Sequence, residues 1–197
     1  MSQARAARLR AALLDPLAAQ QIEVAGSSPA AVLAPLFERD GELYAVFTKR
    51  RAHLRLHAGQ ISFPGGRPEH GDADLIQTAL REAHEEIGLD PRTVTLVGAL
   101  RPTPTVVTDI AIYPIVGLIP PPTTSWTLAA DEVEAVIESS LSALAATHRK
   151  QTFERLTGGR ITTDAYTVGE DTIWGATARI VNDLLARLAG LLGPQPA

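Results

Sequence analysis

The chain has 197 residues, enough to bury the core of one substantial domain, and its 45% hydrophobic and 20% charged content is that of an ordinary globular protein. Its formal net charge of −4 excludes an overall basic field that would attract nucleic acid or an anionic membrane. Because there is no cysteine, disulfides, thiolate catalysis and cysteine-bound zinc are excluded as well.

The first segment, residues 1–17, is rich in alanine and arginine and predicts a helix that is closed by Asp15 and Pro16. A targeting peptide has a similar composition, but no hydrophobic signal core follows this segment. No apolar stretch reaches the roughly 20 residues that a membrane-spanning helix needs. We therefore expect a cytoplasmic protein with one domain, residues 1–197, of which residues 1–28 form an N-terminal helical extension, and with no membrane or nucleic-acid partner.

A β-hairpin is predicted next, with strands at residues 31–37 and 43–48 and a turn at 39–42. Pro35 predicts that the first of these strands lies at a sheet edge or contains a bulge, because proline cannot donate to a strand ladder. A basic segment and a short strand follow, at residues 49–57 and 60–63.

The helix that begins at Asp74 is the best-defined element of the sequence. Asp74 and Gln77 form a capping box, and apolar residues recur with helical period at Ile76, Leu80, Ala83 and Ile87. The remaining predicted elements are strands at 93–99 and 110–118, an irregular loop at 120–125, and helices at 131–146 and 173–192. This order predicts an α/β fold in which helices cover both faces of a mixed β-sheet.

Three carboxylates stand close together on the predicted helix, outside its apolar stripe. Glu82, Glu85 and Glu86 occupy positions i, i+3 and i+4, where like charges repel by roughly 0.2–0.5 kcal/mol per pair. Glu86 also precedes Gly88, a natural helix end, where the helix dipole disfavours an anion. A hard cation such as Mg²⁺ takes oxygen ligands and would reverse both penalties, so the cluster predicts a metal site.

A glycine-rich segment at residues 65–72, hereafter the glycine loop, precedes this helix. The helix and the glycine loop resemble the signature of the Nudix hydrolases, G-x5-E-x7-R-E-U-x-E-E-x-G-U, where U is a bulky aliphatic residue. Residues 81–89 read REAHEEIGL and match the second half, apart from the smaller Ala83 at one aliphatic position. In the first half, Asp72 stands where the glutamate is expected, and eight residues instead of seven separate it from Arg81. The resemblance implies a Nudix-type α/β/α sandwich with a mixed β-sheet, and the hydrolysis of a pyrophosphate joined to another group.

The resemblance also implies a divalent cofactor, Mg²⁺ or Mn²⁺. Its ligands would be Glu82, Glu85 and Glu86, and the carbonyl of Gly66 is a further candidate. Gly65 and Gly66 would let the backbone approach the site closely, as only glycine can.

Two roles in catalysis follow from the same resemblance. Arg81 would orient Glu82 rather than attack the substrate. Glu85 is the candidate general base within the signature, but family members also use a glutamate from a later loop, for which Glu132 and Glu134 are available. The sequence leaves this choice open.

The longer spacing after Asp72 resembles the Nudix subgroup that hydrolyses coenzyme A. Three further stretches are similar to that subgroup, namely residues 48–50 with 54–66, residues 131–133, and Tyr166 with residues 173–180. The resemblance implies that the products are 3′,5′-ADP and 4′-phosphopantetheine.

A dense cationic stretch lies upstream of the glycine loop and consists of Arg50, Arg51, Arg55 and His57. A solvated loop is the alternative interpretation. We interpret the stretch as a phosphate-binding segment, because arginine offers a bidentate fork to phosphate oxygens and coenzyme A has a 3′-phosphate besides its pyrophosphate.

Other functions remain open at this stage. The substrate could instead be ADP-ribose, a dinucleotide such as NADH, or a damaged nucleoside triphosphate. A non-catalytic Nudix module that senses a nucleotide is disfavoured because all three signature glutamates are present. The sequence does not decide between free coenzyme A and its acyl or oxidised derivatives, nor between a monomer and a homodimer.

Overall fold

Five helices surround the sheets in the computed structural model, which describes residues 3–26, 28–53, 59–105, 109–154 and 158–192. The helices are α1 (Gln3–Ala12), α2 (Pro16–Gln20), α3 (Leu75–Ile87), α4 (Leu141–Ala146) and α5 (Gly175–Leu188), and short 3₁₀ turns lie at Pro91–Thr93 and Ala189–Leu191. No helix in the described ranges is long and apolar enough to cross a membrane.

The strands form one large mixed sheet and one small antiparallel sheet. The large sheet contains β1 (Ser28–Arg39), β2 (Glu42–Arg50), β3 (Ile61–Ser62), β4 (Gly65–Gly66), β5 (Thr95–Ala99), β6 (Thr103–Pro104), β7 (Ile110–Leu118) and β8 (Val133–Ser140). Its main order is β3-β2-β1-β7-β5, with β4 on β1, β6 on β7 and β8 on β2. The small sheet has the order β11-β10-β9, with β9 (Arg149–Glu154), β10 (Arg160–Val168) and β11 (Asp171–Trp174).

The predicted hairpin is confirmed as the antiparallel pair β1 and β2. Asp40 and Gly41 form its turn with φ values of 53° and 79°. Two consecutive residues with positive φ are typical of the type I′ turn, whose twist matches that of the strands it joins.

The edge position predicted from Pro35 is wrong, since β1 lies in the middle of the sheet between β2 and β7. Leu36 accepts a hydrogen bond from Ile119 on the β7 side, so the nitrogen of Pro35 faces the opposite side. On that side β1 changes its partner. The N–H of Leu33 donates to the carbonyl of Pro64, whereas pairing with β2 begins only at Leu36. Proline is tolerated because it lies in this gap of the ladder.

The large sheet separates two apolar layers, as the mixed-sheet prediction requires. Alternate residues of β1 point into different layers, with Leu33 and Phe37 packing beside α3 and Leu36 packing beside α5. The sandwich of helices around a mixed sheet is therefore confirmed.

A predicted helix over residues 131–146 is wrong for its first part. Residues Val133–Ser140 form strand β8, which pairs with β2, and only Leu141–Ala146 is helical. The start of α4 has a local sequence signal, because the Ser140 hydroxyl accepts from the N–H of Ala143 at 3.1 Å and caps the helix. The residues before α4 form a strand because they pair with β2, which is distant in sequence.

The predicted C-terminal helix over residues 173–192 begins later than expected. Trp174 ends β11, and Gly175, with φ 66°, opens α5. Strands β9 and β10 were not predicted at all. Trp174 stacks on Phe153 of β9 with 4.6 Å between ring centroids, which joins the outer strands of the small sheet.

Candidate active site

Helix α3 is fixed at both ends by the residues that the sequence indicates. The Asp74 carboxylate accepts from the backbone N–H of Gln77 at 2.9 Å, and Gly88 ends the helix in the left-handed region with φ 69°. A Cβ at Gly88 would meet the side chain of Thr127. In addition, the N–H of Ala129 donates to the carbonyl of Glu86 at 2.9 Å, so the chain before β8 is attached directly to the carboxylate-bearing turn.

The glycine loop lies directly against this helix. Gly65 and Gly66 pair with Val32 and Ala31 of β1, and a Cβ at Gly65 would collide with the β1 backbone. A Cβ at Gly66 would collide with the carboxylate of Glu82. Close approach to β1 therefore requires glycine at position 65, and Gly66 places its backbone beside a predicted metal ligand.

Arg81 donates hydrogen bonds to several residues on the carboxylate-bearing face of α3 and in the glycine loop. Its Nη1 donates to Oε1 of Glu82 at 3.0 Å and to Oε2 of Glu85 at 2.9 Å, while Nη2 donates to the carbonyl of Arg67 at 2.9 Å. The structure thus places Arg81 against Glu82, as its predicted orienting role requires, and adds Glu85 as a second partner.

Asp72 is the anchor of Arg81, and sequence reasoning left its role undefined. Its Oδ1 accepts from Nε of Arg81 at 3.1 Å and its Oδ2 accepts from Nη2 at 3.1 Å. The N–H of Glu69 and the hydroxyl of Thr78 also donate to Oδ2, at 3.0 and 2.9 Å. Hydrogen bonding by Arg81, followed by that of Glu69, lowers the pKa of Asp72 to about 2. The position of an acidic residue ahead of Arg81 in the signature was the signal for this pair.

Glu86 does not lie on a solvated face, as three glutamates outside an apolar stripe would suggest. Only 5% of the surface of Glu86 is exposed to solvent. Burial, and next the charge of Glu82, raise the pKa of Glu86 to about 8, although the charge of Arg50 and the N–H of Gly65 act in the opposite direction. Burial also raises the pKa of Glu82, and the charges of Glu85 and Glu132 act in the same direction.

The cationic segment meets the carboxylates at the end of β2. Arg50 lies near enough to Glu86 for its charge to lower the pKa of that carboxyl. The Nε atoms of Arg50 and Arg51 are buried, and neither has a hydrogen-bond partner among the described residues. Arg55 and His57, the other predicted phosphate ligands, lie outside the described residues.

The structure distinguishes the two downstream glutamates that the sequence could not separate. The charge of Glu132 acts on both Glu82 and Glu86, so its carboxylate lies near the site. The carbonyl of Glu132 also accepts from the N–H of Arg51 at 2.9 Å. Glu134 instead contacts Lys49, whose Nζ lies 3.4 Å from its Oε1.

A divalent cation fits the residues of this site. No group of three or more His, Asp or Glu side chains in the described ranges is arranged as a ready-made metal shell, since Arg81 lies between Glu82 and Glu85. However, the buried Oε2 of Glu86 has no hydrogen-bond partner within those ranges, and an unpaired buried carboxylate oxygen calls for a cation. Carboxylates beside a glycine backbone form the hard oxygen donor set that Mg²⁺ and Mn²⁺ prefer.

Comparison with solved structures agrees with the fold. The MutT/nudix family protein from Enterococcus faecalis superimposes with a TM-score of 0.58 at 18% identity, and the match covers 86% of this chain and 64% of that one. At this identity the likeness supports the shared fold only.

Comparison of sequences identifies the family. Residues 27–156 match the family described as the NUDIX domain. The chain is also 37% identical over 169 residues to the uncharacterized Nudix hydrolase NudL of Salmonella paratyphi B, covering 84% of this chain and 85% of that protein. The NudL protein of Salmonella newport matches with the same identity and coverage. With the signature helix, the glycine loop and the mixed-sheet sandwich in place, the chain belongs to the Nudix hydrolase family.

Proposed function

We propose that this protein is a Mg²⁺- or Mn²⁺-dependent hydrolase of coenzyme A, which cleaves the pyrophosphate bond to give 3′,5′-ADP and 4′-phosphopantetheine. Membership of the Nudix hydrolases supports a pyrophosphohydrolase acting on a small-molecule substrate. The cation, the substrate and the roles of individual residues are the parts of the proposal that go beyond the family.

The observation that carries the proposal is the buried carboxylate of Glu86. It lies beside Glu82 on the same helix turn, its pKa is raised by burial and by that neighbour, and its Oε2 has no partner in the described part of the chain. Burying an uncompensated charge is costly, so such a pair serves a purpose other than stability. A cation held by Glu82, Glu85 and Glu86, with the Gly66 carbonyl as a further ligand, would compensate the charge of this pair.

A bound divalent cation would neutralise phosphate charge and acidify a bound water. The protein itself supplies alignment. Asp72 holds Arg81, Arg81 holds Glu82 and Glu85, and Gly66 brings the backbone of the glycine loop against the carboxylate of Glu82. Phosphoryl transfer to water needs this positioning and charge stabilisation more than covalent chemistry.

We assign the general base to Glu132 in preference to Glu85. Glu85 accepts a hydrogen bond from Arg81 at 2.9 Å, which commits one of its oxygens. Glu132 lies immediately before β8 and near Glu82 and Glu86, since its charge raises the pKa of both carboxyls. Its role would be to accept the proton of the attacking water.

The cationic segment supports a substrate rich in phosphate. The Nε atoms of Arg50 and Arg51, which have no hydrogen-bond partner within the described ranges, are donors that a phosphate oxygen would satisfy. Arg55 and His57 complete the proposed phosphate-binding set by their place in the same segment. Coenzyme A is the favoured substrate because its 3′-phosphate requires more cationic contacts than a plain dinucleotide does.

The test is product analysis by mass spectrometry after incubation with coenzyme A and Mg²⁺ in ¹⁸O water. We expect 3′,5′-ADP and 4′-phosphopantetheine, with ¹⁸O in one product only, which also identifies the phosphorus attacked. A panel containing ADP-ribose, NADH and nucleoside triphosphates, scored by kcat/KM, serves as the comparison.

Two outcomes would overturn the proposal. A clear preference for ADP-ribose or another member of the panel would keep the pyrophosphatase but replace its substrate. A wild-type protein without Mg²⁺- or Mn²⁺-dependent turnover of any pyrophosphate would instead indicate a non-catalytic nucleotide-binding module.

A further inference from the structure

A β-bulge interrupts the pairing of β2 with β8 next to the candidate active site. Lys49 lies opposite Ala135, but the next residue, Arg50, lies opposite Val133, so Glu134 is an extra residue on β8. Pairing resumes in the new register, because the N–H of Arg51 donates to the carbonyl of Glu132. Bulges of this kind re-aim side chains and are frequent beside active sites.

The bulge changes the direction in which Glu134 points. Val136 packs in the apolar layer beside α3, and in an unbroken strand Glu134, two residues earlier, would face the same way. Its carboxylate instead contacts Lys49. Lys49 is two residues after Phe47 in β2 and lies on the same face of the sheet, the face from which Phe47 packs beside α5.

Lys49 holds the extra residue in this orientation. Its Nζ lies 3.4 Å from Oε1 of Glu134 and 3.0 Å from Oδ1 of Asp171 in β11. The Asp171 hydrogen bond is the main reason that the pKa of Lys49 is raised, so the ammonium group stays charged at neutral pH. One lysine therefore ties the bulge of the large sheet to the first residue of the small sheet's edge strand.

We propose that Lys49 is a positioning residue that fixes Glu132 beside Glu82 and Glu86 by stabilising the bulge at Glu134. This inference rests on the proposed function, in which Glu132 is the general base. If the bulge were lost, Val133 would lie opposite Arg51, and Glu132 would move by one residue, about 3.3 Å along the strand. A shift of this size is enough to remove a base from its water.

The first measurement is steady-state kinetics of Lys49→Met on the pyrophosphate substrate, with Lys49→Arg as the conservative variant. We expect kcat to fall about tenfold with KM unchanged within about twofold, because a general base contributes on the order of a hundredfold or more and its position is only loosened. Lys49→Arg should recover most of the activity, since arginine can also bridge the two carboxylates. Lys150→Met is the matched control and should behave as wild type, because Lys150 pairs with Asp164 on the small sheet at 2.7 Å.

The second measurement separates positioning through Glu132 from a general structural effect. In a Glu132→Gln background, Lys49→Met should change kcat by less than about twofold, because residues that act as a unit are not additive. Effects that multiply would overturn the inference. So would a rise in KM without a change in kcat, which would mean that Lys49 contacts the substrate itself.

The third measurement does not depend on turnover. The N–H of Arg51 donates to Glu132 across the bulge, so its hydrogen exchange in the metal-free protein should be at least about tenfold faster in Lys49→Met. The N–H of Ile119, which donates to Leu36, should exchange as in wild type. Unchanged exchange at Arg51 would overturn the inference while leaving the pyrophosphatase intact, whereas an inactive wild-type protein would overturn both.

Discussion

Asp72 and Arg81 form a two-point ion pair between the glycine loop and helix α3, with Nε–Oδ1 and Nη2–Oδ2 distances of 3.1 Å each. This geometry is the bidentate arrangement in which a planar guanidinium gives both strength and orientation. The extra residue between Asp72 and Arg81, relative to the family signature, therefore does not break the link between the two halves of the site.

Asp72→Asn should lower kcat by about tenfold or more, because Arg81 would lose the carboxylate that aims it at Glu82 and Glu85. Steady-state kinetics in saturating Mg²⁺ would measure this effect. Asp90→Asn is the control, since Asp90 makes a similar contact with exposed Arg92 but lies outside the site. Wild-type kinetics in Asp72→Asn would show that Arg81 is oriented by its other partners.

The same pair should give a stability difference that depends on pH. The pKa of Asp72 is lowered from 3.8 to about 2 in the folded protein. A lowered pKa contributes stability above the unfolded value, and that stability is lost as the pH falls through the folded value. The unfolding temperatures of wild type and Asp72→Asn should therefore differ at pH 6 and converge as the pH falls from about 4 to 2. A constant difference across this window would contradict the assignment.

Glu86→Gln and Glu82→Gln should each remove nearly all activity, because each takes away a proposed cation ligand. Isothermal titration with Mn²⁺ should show weakened binding in both variants. Glu154→Gln, a change of an exposed glutamate on β9, should retain wild-type activity and affinity. Hydrolysis by Glu86→Gln at the wild-type rate in excess Mg²⁺ would show that the carboxylate cluster is not the metal site.

Glu86→Gln should also be more stable than wild type in the metal-free state at high pH. Burial raises the pKa of Glu86 from 4.5 to about 8, so the wild-type protein loses stability as the pH rises through that range. Glutamine has the same shape without the charge, and the variant should not show this loss. Thermal unfolding in EDTA from pH 5 to pH 9 would measure it, and parallel curves for the two proteins would contradict the prediction.

Arg50→Gln and Arg51→Gln should raise KM about tenfold or more with a smaller effect on kcat. Each change removes a guanidinium whose Nε has no hydrogen-bond partner in the described ranges, and a charge-assisted hydrogen bond is worth about 1.5–3 kcal/mol. Arg92→Gln is the matched control, because Arg92 is exposed and pairs only with Asp90 among the described residues. Initial-rate kinetics over a range of coenzyme A concentrations would check this, and unchanged KM values would exclude a role in phosphate binding.

The sequence predicted best the elements whose signals are local. Helix α3 begins after Asp74 and ends before Gly88 because capping and a left-handed glycine act within a few residues. Strand β7 matches its predicted bounds, and the turn at Asp40 and Gly41 joins the predicted strands.

Long-range pairing accounts for what the sequence did not predict. Residues of β8 have the apolar spacing of a helix but pair with β2, about 90 residues earlier in the chain. Helical periodicity describes one helix only, so it did not predict that Glu86 is buried. The segments around Gly65, Arg50 and Glu132 act on it in the folded protein, and none of them is its neighbour in sequence.

The contact of Arg81 with both Glu82 and Glu85 has a consequence for how the site is loaded. The single positive charge of Arg81 is shared by these two carboxylates and Asp72, so a cation that binds Glu82 or Glu85 would compete with Arg81 for their oxygens. Arg81 holds one oxygen of Glu85, so a cation would either bind the other oxygen or displace Arg81, and this competition would weaken the apparent affinity for the cation alone. A substrate whose phosphates bring ligands of their own lowers that cost, which favours joint arrival of cation and substrate over a permanently charged resting state.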